Sequence, residues 1–281
     1  MSLAACVREA FFLETPGGAR FCLLSRPIAE AKGGVLFVPP FAEELNKSRR
    51  MVAEAVRAFV EAGWAVLQLD LKGCGDSAGD FGDAAWADWL ADVDAGWSLL
   101  GERLPLAAPR VFWSLRAGSL LVSEWLTAHP SPEPCLMWQP VANGKQHLTQ
   151  FLRIKAANEM LGDADARGVI ASLRAEIAAG RAIEVAGYEL SPGLASGLDG
   201  CALRAPNTGA GPLMIVELSM SEQPTTSPVM VQFGDKWRAS GADVHAIAVQ
   251  GPAFWQTQEI EVSQPLIDAS CSVLGRWAHA R

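Results

Sequence analysis

The sequence predicts an α/β protein: a mostly parallel, doubly wound sheet with an antiparallel N-terminal edge and a helical cap inserted between two late strands. Three observations carry that prediction. Short apolar runs rich in β-branched residues alternate with longer runs of helical periodicity. Several of those short runs lack polar alternation, which fits strands buried on both faces. Third, Val111–Ser119 (Val-Phe-Trp-Ser-Leu-Arg-Ala-Gly-Ser) reads as strand, tight turn and helix start, with small residues on either side of one central position.

Taken in order, Ala10–Glu14 and Arg20–Ser25 read as two strands joined by a Pro-Gly-Gly turn at Pro16–Gly18, an opening hairpin at a sheet edge. Gly34–Val38 is a buried strand. Met51–Ala62 repeats apolar residues at helical spacing and stops at Gly63. Ala65–Asp70 is the next strand, and a helix over about Ala84–Arg103 presents Trp86, Trp89, Val93, Trp97 and Leu100 on a core-facing stripe. After the central turn come a helix over Leu120–Ala128 and a strand over Cys135–Gln139. Crossovers of this length pair strands in parallel. From Pro140 the pattern changes: helical stretches near Leu148–Met160 and Ala164–Ala179 precede a Gly/Pro/Ser-rich passage, Gly187–Gly211. The sheet resumes with Leu213–Leu218 and Val244–Val249, and Leu266–Ala280 closes the chain as a helix. Residues 1–139 and 212–281 are therefore expected to form the core domain, and 140–211 a helical cap over its pocket.

Composition narrows the function classes. A net charge of −8 with no basic run argues against binding a nucleic-acid backbone. No apolar stretch reaches the roughly 18 residues of a membrane span, so no integral membrane protein is expected, and Met1–Val7 is too short and weakly apolar for a signal peptide. Six cysteines at 6, 22, 74, 135, 201 and 271 form no Cys-x-x-Cys pair and no Cys/His cluster. Reduced thiols, no metal, no cofactor and a cytoplasmic location follow as expectations. Ten tryptophans against one tyrosine carry no functional signal in the sequence alone.

The central turn needs small residues two before and two after its middle, so that strand and helix backbones can pass closely. With Ser114 as the middle, the flanks are Phe112 and Arg116, both too bulky; with Ser119 they are Ala117 and Leu121, already inside the helix. Arg116, between Ser114 and Gly118, is the only middle with small residues on both sides. A strand-turn-helix of this kind resembles the nucleophile elbow of the α/β-hydrolases, G-x-S-x-G. Asp70–Ser77, Asp-Leu-Lys-Gly-Cys-Gly-Asp-Ser, is similar to the D-x-R-G-x-G-x-S loop of that superfamily, with lysine for arginine. Pro39–Glu44 stands where these enzymes place the loop that lends a backbone N–H to the oxyanion hole. The resemblance thus implies an oxyanion loop at Phe41, Ala42 and Ala117. A narrower one spans nearly the whole chain. Pro39–Arg50, Gly73–Ser77, Leu115–Gly118 and Gly251–Thr257 resemble the exosortase A system-associated hydrolases, and the arginine elbow with Phe-Trp-Gln-Thr points to the second of their two types. It implies a bacterial exopolysaccharide setting and supplies no substrate.

A serine hydrolase needs Ser, Asp/Glu and His in that chain order. Here Arg116 holds the nucleophile position, and a guanidinium has no usable lone pair. The acid position, after Leu218, reads Ser219 and Ser221, with Glu217 and Glu222 nearby. The loop after Val249 carries Phe254 and Trp255 and no histidine. Of the four histidines, only His147 could overhang the pocket, and a solvated loop is its simpler reading; His129, His245 and His279 lie elsewhere. The triad is therefore read as degenerate at Arg116, Ser219, Phe254 and Trp255. Arg116 at a helix N-terminus suits an anion, or pairs with Glu43 or Glu44 of the facing loop. Cys74 and Asp76 are further pocket candidates, for which a turn role is the simpler reading. The expectation is a hydrolase-fold pseudoenzyme binding a small anionic or acyl-bearing ligand. Two alternatives stand beside it: an active esterase, thioesterase or acyltransferase using a non-triad set, and a scaffold for exopolysaccharide-assembly proteins.

Overall fold

A computed structural model of the chain describes residues 6–158 and 163–278. The ends expected for two helices, at Met160 and Ala280, lie outside the described residues, as do His279 and the first five residues of the N-terminal stretch. Eight strands form one sheet in the order β1-β2-β4-β3-β5-β6-β9-β10. β1 (Cys6–Thr15) and β2 (Gly18–Pro27) make the antiparallel edge, with Thr15 opposite Gly18 across a tight turn. β2 joins β4 (Trp64–Leu69) antiparallel, and every later pairing is parallel. β3 (Gly33–Val38) and β5 (Arg110–Leu115) lie side by side at the centre. β6 (Cys135–Trp138), β9 (Leu213–Ser219) and β10 (Val244–Gln250) extend the sheet outward. This is the α/β-hydrolase fold.

Burial explains why these runs became strands. β3 is buried along its whole length because helices cover both faces. On one face lie α1 (Glu43–Glu61) and α8 (Gln264–Trp277); on the other lie α2 (Trp86–Glu102), α3 (Gly118–Ala128) and α7 (Pro228–Arg238). All ten tryptophans are buried. Trp97 stacks on Phe112 at 3.9 Å, and Trp113 meets Trp138 edge-on at 4.7 Å. The aromatic excess is core filling, worth ~0.5–1.5 kcal/mol per pair beyond area burial.

Between β6 and β9 the chain forms α4 (Gly144–Asn158), α5 (Asp163–Ala178), a small hairpin of β7 (Ile183–Val185) and β8 (Tyr188–Leu190), and α6 (Pro192–Gly200). β8 and α6 fall where the sequence suggested only a Gly/Pro/Ser-rich passage, and β7 just before it. α6 is a helix despite its glycines because Ser191 Oγ accepts from the Leu194 N–H at 2.9 Å and Pro192 opens the first turn. Gly197 serves close packing: a Cβ there would come within 2.1 Å of Trp86 Cβ. Helix α7 also goes beyond the sequence reading; its buried Met230, Phe233 and Trp237 keep helical spacing around Gly234. Helix α1 starts well before Met51, so Glu43 and Glu44 occupy its first turn rather than a loop.

Candidate functional site

The strand order reverses at β3: the chain leaves it for β4 on one side and returns to β5 on the other. Ligands of open α/β sheets bind in the crevice at such a switch point, beyond the carboxyl ends of the strands. Backbone strain collects there. Ala42, Arg116 and Gln139 follow β3, β5 and β6 and have φ of 51°, 54° and 41°. A non-glycine residue in that region costs ~1–2 kcal/mol, so each must be held by its neighbours.

Arg116 is held on both sides. Its N–H donates to the Trp138 carbonyl at 3.0 Å, and its carbonyl accepts from Ser119 at 3.1 Å and Val141 at 3.3 Å. Ser114 and Ser119 share a 2.9 Å hydrogen bond that ties strand to helix. Gly118 cannot be larger: a Cβ would lie 2.4 Å from the Val38 carbonyl oxygen and 2.6 Å from that of Pro39. The small flanks read from the sequence are there for this close passage of β5–α3 beneath the end of β3.

From this turn the Arg116 side chain reaches α1. Its Nε donates to Glu44 Oε1 at 3.0 Å, with both side chains about nine-tenths buried. Among the described residues this is the only hydrogen bond of the Arg116 side chain, so the Nη fork has none. The guanidinium lies over the Trp255 ring, 5.1 Å from its centroid. Trp255 thus serves as an aromatic floor for the cation.

Burial pushes the Glu44 carboxyl up to about 7, against the lowering pull of the Arg116 charge and hydrogen bond. Burial raises the Glu43 carboxyl as well. His147, in the first turn of α4, is buried and not a solvated loop residue: its ring packs edge-on against Phe41 at 6.0 Å. Burial, then the Arg116 charge, lowers its imidazole to about 3, so it is neutral at ordinary pH. Its 3.9 Å approach to Glu44 Oε2 is therefore not an ion pair. A cleft of about 250 Å³ opens beside these groups, lined by Phe41, Glu44, Lys47, His147, Phe151 and Gln256 among others. Buried side-chain polar atoms normally find partners. Of the seven that have none among the described residues, four belong to Glu43, Glu44, His147 and Trp255.

The structure thus brings Glu43, Glu44 and Arg116 together and leaves Cys74 and Asp76 outside this cleft. The Gly-rich loop curls toward the hairpin instead: Gly73 and Gly75 have φ of 72° and 54°, and Ala78 donates to the Ala19 carbonyl at 2.8 Å. Burial, followed by Asp70 and Asp92, pushes the Cys74 thiol up to about 12, while the Asp76 N–H donates to Asp70. Both are turn residues. The N–H groups of Phe41, Ala42 and Ala117 donate to nothing among the described residues, so three backbone donors are free at this end of the sheet. Ser219 closes β9; its hydroxyl accepts from Ser221 and its carbonyl from Gly251. Glu217 accepts from Ser227 N and Oγ at 2.6 and 2.7 Å, so the carboxylate nearest the acid position holds the start of α7. Phe254 is buried against Trp138. His129 bonds the Trp125 carbonyl, and exposed His245 pairs with Asp243. Among the described residues no three metal-ligating side chains converge.

Lys47, Gln150, Phe151 and Ile154 escaped the sequence reading, which named His147 as the one histidine able to overhang the pocket but favoured a solvated loop for it. The spacing of His147, Gln150, Phe151 and Ile154 was the available signal, because i, i+3, i+4 and i+7 put all four on one face of α4.

Residues 29–162 match the family described as serine aminopeptidase, S33. No curated protein matches the chain. Among solved structures it is similar to Est1E from Butyrivibrio proteoclasticus with ferulic acid bound: TM-score 0.61, 14% identity, 95% of this chain and 97% of that one covered. It is also similar to a thermostable carboxyl esterase from Bacillus coagulans in complex with glycerol, with TM-score 0.60, 13% identity and coverage of 98% and 99%. For the mouse α/β-hydrolase domain-containing protein 10 the values are 0.57, 15%, 96% and 98%. At these identities the structural likeness concerns the fold. The family match covers residues 29–162, just under half of the chain.

Proposed function

We propose that this chain is a member of the α/β-hydrolase superfamily that binds a small anionic or acyl-bearing ligand at its elbow and does not hydrolyse esters by a Ser-His-Asp triad. One observation carries this reading: Arg116 stands at the strained turn, its Nε held by Glu44 and its Nη fork without a hydrogen bond among the described residues. A buried guanidinium needs a partner for each of its arms. A carboxylate or phosphate fits the fork bidentately, and the free N–H groups beginning α3 favour the same charge. The segment 140–211 serves as the lid, with His147, Phe151 and Ile154 of α4 lining the cleft. The resemblance to exosortase A system-associated hydrolases of type 2 supplies the setting, a cytoplasmic step connected with bacterial exopolysaccharide assembly. A pure scaffold for assembly proteins would have no use for a cleft beside the pair.

A second reading rests on Glu44. A carboxyl raised to about 7 with Oε2 unpartnered is suited to general-base work in a non-triad esterase, thioesterase or acyltransferase.

The test is turnover of p-nitrophenyl ester and thioester panels, fluorophosphonate labelling, and calorimetric titration with butyrate. Wild type, Arg116→Ala, Arg116→Ser and Glu44→Gln are compared. The expected result is no turnover and no labelling in any protein, the serine variant included, because triad residues act as a unit. Butyrate affinity should fall about tenfold or more in Arg116→Ala, the loss of charge-assisted hydrogen bonds. Turnover that survives Arg116→Ala and disappears in Glu44→Gln would replace the binding reading with the second one.

A further inference from the structure

A separate groove of about 400 Å³ lies on the α1 face of the sheet, between that helix and the N-terminal hairpin. Its floor follows from strand parity. Phe21, Leu23 and Ser25 of β2 point to one face, and across β1 the register sets Phe12, Ala10 and Arg8 opposite them. From the other side α1 contributes Val52 and Val56, and β3 contributes Phe37. Helix α1 packs on β4 and β2, and the groove opens between it and the hairpin.

The two ends of the groove differ. At one end Ser25 is 1% exposed, lines the groove, and its Oγ has no hydrogen-bond partner among the described residues. Arg8 stands directly opposite Ser25 in the hairpin, on the same face, with no ion pair or hydrogen bond among the described residues. Cross-strand neighbours of this kind have Cβ atoms ~4.5–5.5 Å apart. At the other end stand Asp70 and Asp76, with Arg49 acting on Asp70. Between the ends the walls are mainly apolar. Ser48 is engaged with the Glu44 carbonyl, which leaves Gln68 as the one side chain there with free hydrogen-bonding capacity.

We propose that this groove is a second ligand site, fitted to a medium-chain acyl carboxylate whose head lies on Arg8 and Ser25 and whose chain runs along Leu23, Phe21 and Phe37. An orphaned buried hydroxyl beside an unpaired guanidinium asks for an acceptor of negative charge. A peptide would bury backbone polar groups against walls that offer them almost no partners. An alkyl chain makes no such demand and gains about 0.8 kcal/mol per buried CH₂. From Ser25 to Phe21 the strand runs about 13 Å, the reach of roughly ten carbons. The acidic far end repels a second carboxylate. The site is independent of the reading of Arg116, since it lies on the far side of the Pro39–Pro40 turn and uses none of the cleft's charged groups.

The test is calorimetric titration of the full chain carrying Arg116→Leu, which removes the guanidinium of the anion site proposed above. Decanoate, its ω-dicarboxylate analogue and decyltrimethylammonium are compared. Decanoate should bind saturably, the dicarboxylate more weakly, and the ammonium not at all. Adding exposed Arg8→Gln should weaken decanoate about tenfold, the value of one charge-assisted contact. Leu23→Trp, which fills the groove, should abolish binding, with circular dichroism checking that both variants stay folded. No saturable binding up to millimolar decanoate, equal binding of the ammonium, or indifference to Arg8→Gln would overturn the proposal.

Discussion

Among the described residues two arginine–carboxylate pairs are buried, and they are built to different standards. Arg20 and Asp92 are 1% and 2% exposed, with Nε to Oδ1 at 2.7 Å. Arg20 Nη1 also donates to the carbonyls of Gly17 and Gly18 at 3.1 Å, and Asp92 Oδ2 accepts from the Lys72 N–H at 2.7 Å. Both carboxylate oxygens are engaged, and three segments meet at the pair: the hairpin, α2 and the Gly-rich loop. Arg116 and Glu44 are nearly as buried, yet they share one 3.0 Å bond, Oε2 has no partner, and a cleft adjoins. Burial alone therefore does not separate a clamp from a recognition site. The state of the carboxylate does: one with both oxygens engaged has nothing left to offer a ligand, while one with an oxygen unpartnered beside a cleft has.

The contrast is broken most directly at the clamp. Asp92→Ala leaves Arg20 buried and unpaired and should cost ~3–5 kcal/mol, read from urea denaturation; a loss below ~1 kcal/mol would mean that the saturated pair is no clamp. Glu44→Gln should cost less, ~1–2 kcal/mol, because the cleft rehydrates Arg116. The same change should tighten butyrate binding, since it removes the carboxylate that competes for the guanidinium; weaker binding would make Glu44 part of the ligand's own contact.

The pH dependence sharpens the comparison further. Glu44 is raised from 4.5 to about 7, so in that window the folded chain holds a proton that the unfolded chain has released. Its contribution to stability is full below pH 4.5 and is lost as pH rises through about 7. His147 runs the other way: lowered from 6.5 to about 3, it contributes above pH 6.5 and loses that contribution as pH falls toward 3. Thermal melts across pH should therefore show Glu44→Gln flattening the decline between pH 4.5 and 7, and His147→Leu flattening the acid-side loss. Anion affinity should rise as pH drops through about 7 in wild type and stay level in Glu44→Gln. The smallest effect is expected at Trp255→Leu, which removes the ring beneath the guanidinium and should weaken anion binding only a few-fold, ~0.5–1 kcal/mol.

The sequence by itself determined the strand order of chemistry along the chain. The need for small residues at Ser114 and Gly118 follows from the close passage of strand and helix, which any chain making that turn must satisfy. That requirement located Arg116 and with it the end of the sheet where the cleft opens. Periodicity likewise announced the tryptophan stripe of α2, because spacing within one helix is a local property. Tertiary structure alone decided which carboxylate meets Arg116. Glu43 and Glu44 are adjacent in sequence, and only the angle at which α1 leaves Ala42 selects Glu44. It also decided that His147 is buried, since that depends on how α4 folds back over Phe41, and that Cys74 and Asp76 turn away, since that depends on the glycines curling their loop onto the hairpin. The Arg8–Ser25 groove was invisible for the same reason: it exists because the hairpin, β3, β4 and α1, distant in the chain, are brought side by side by the sheet order.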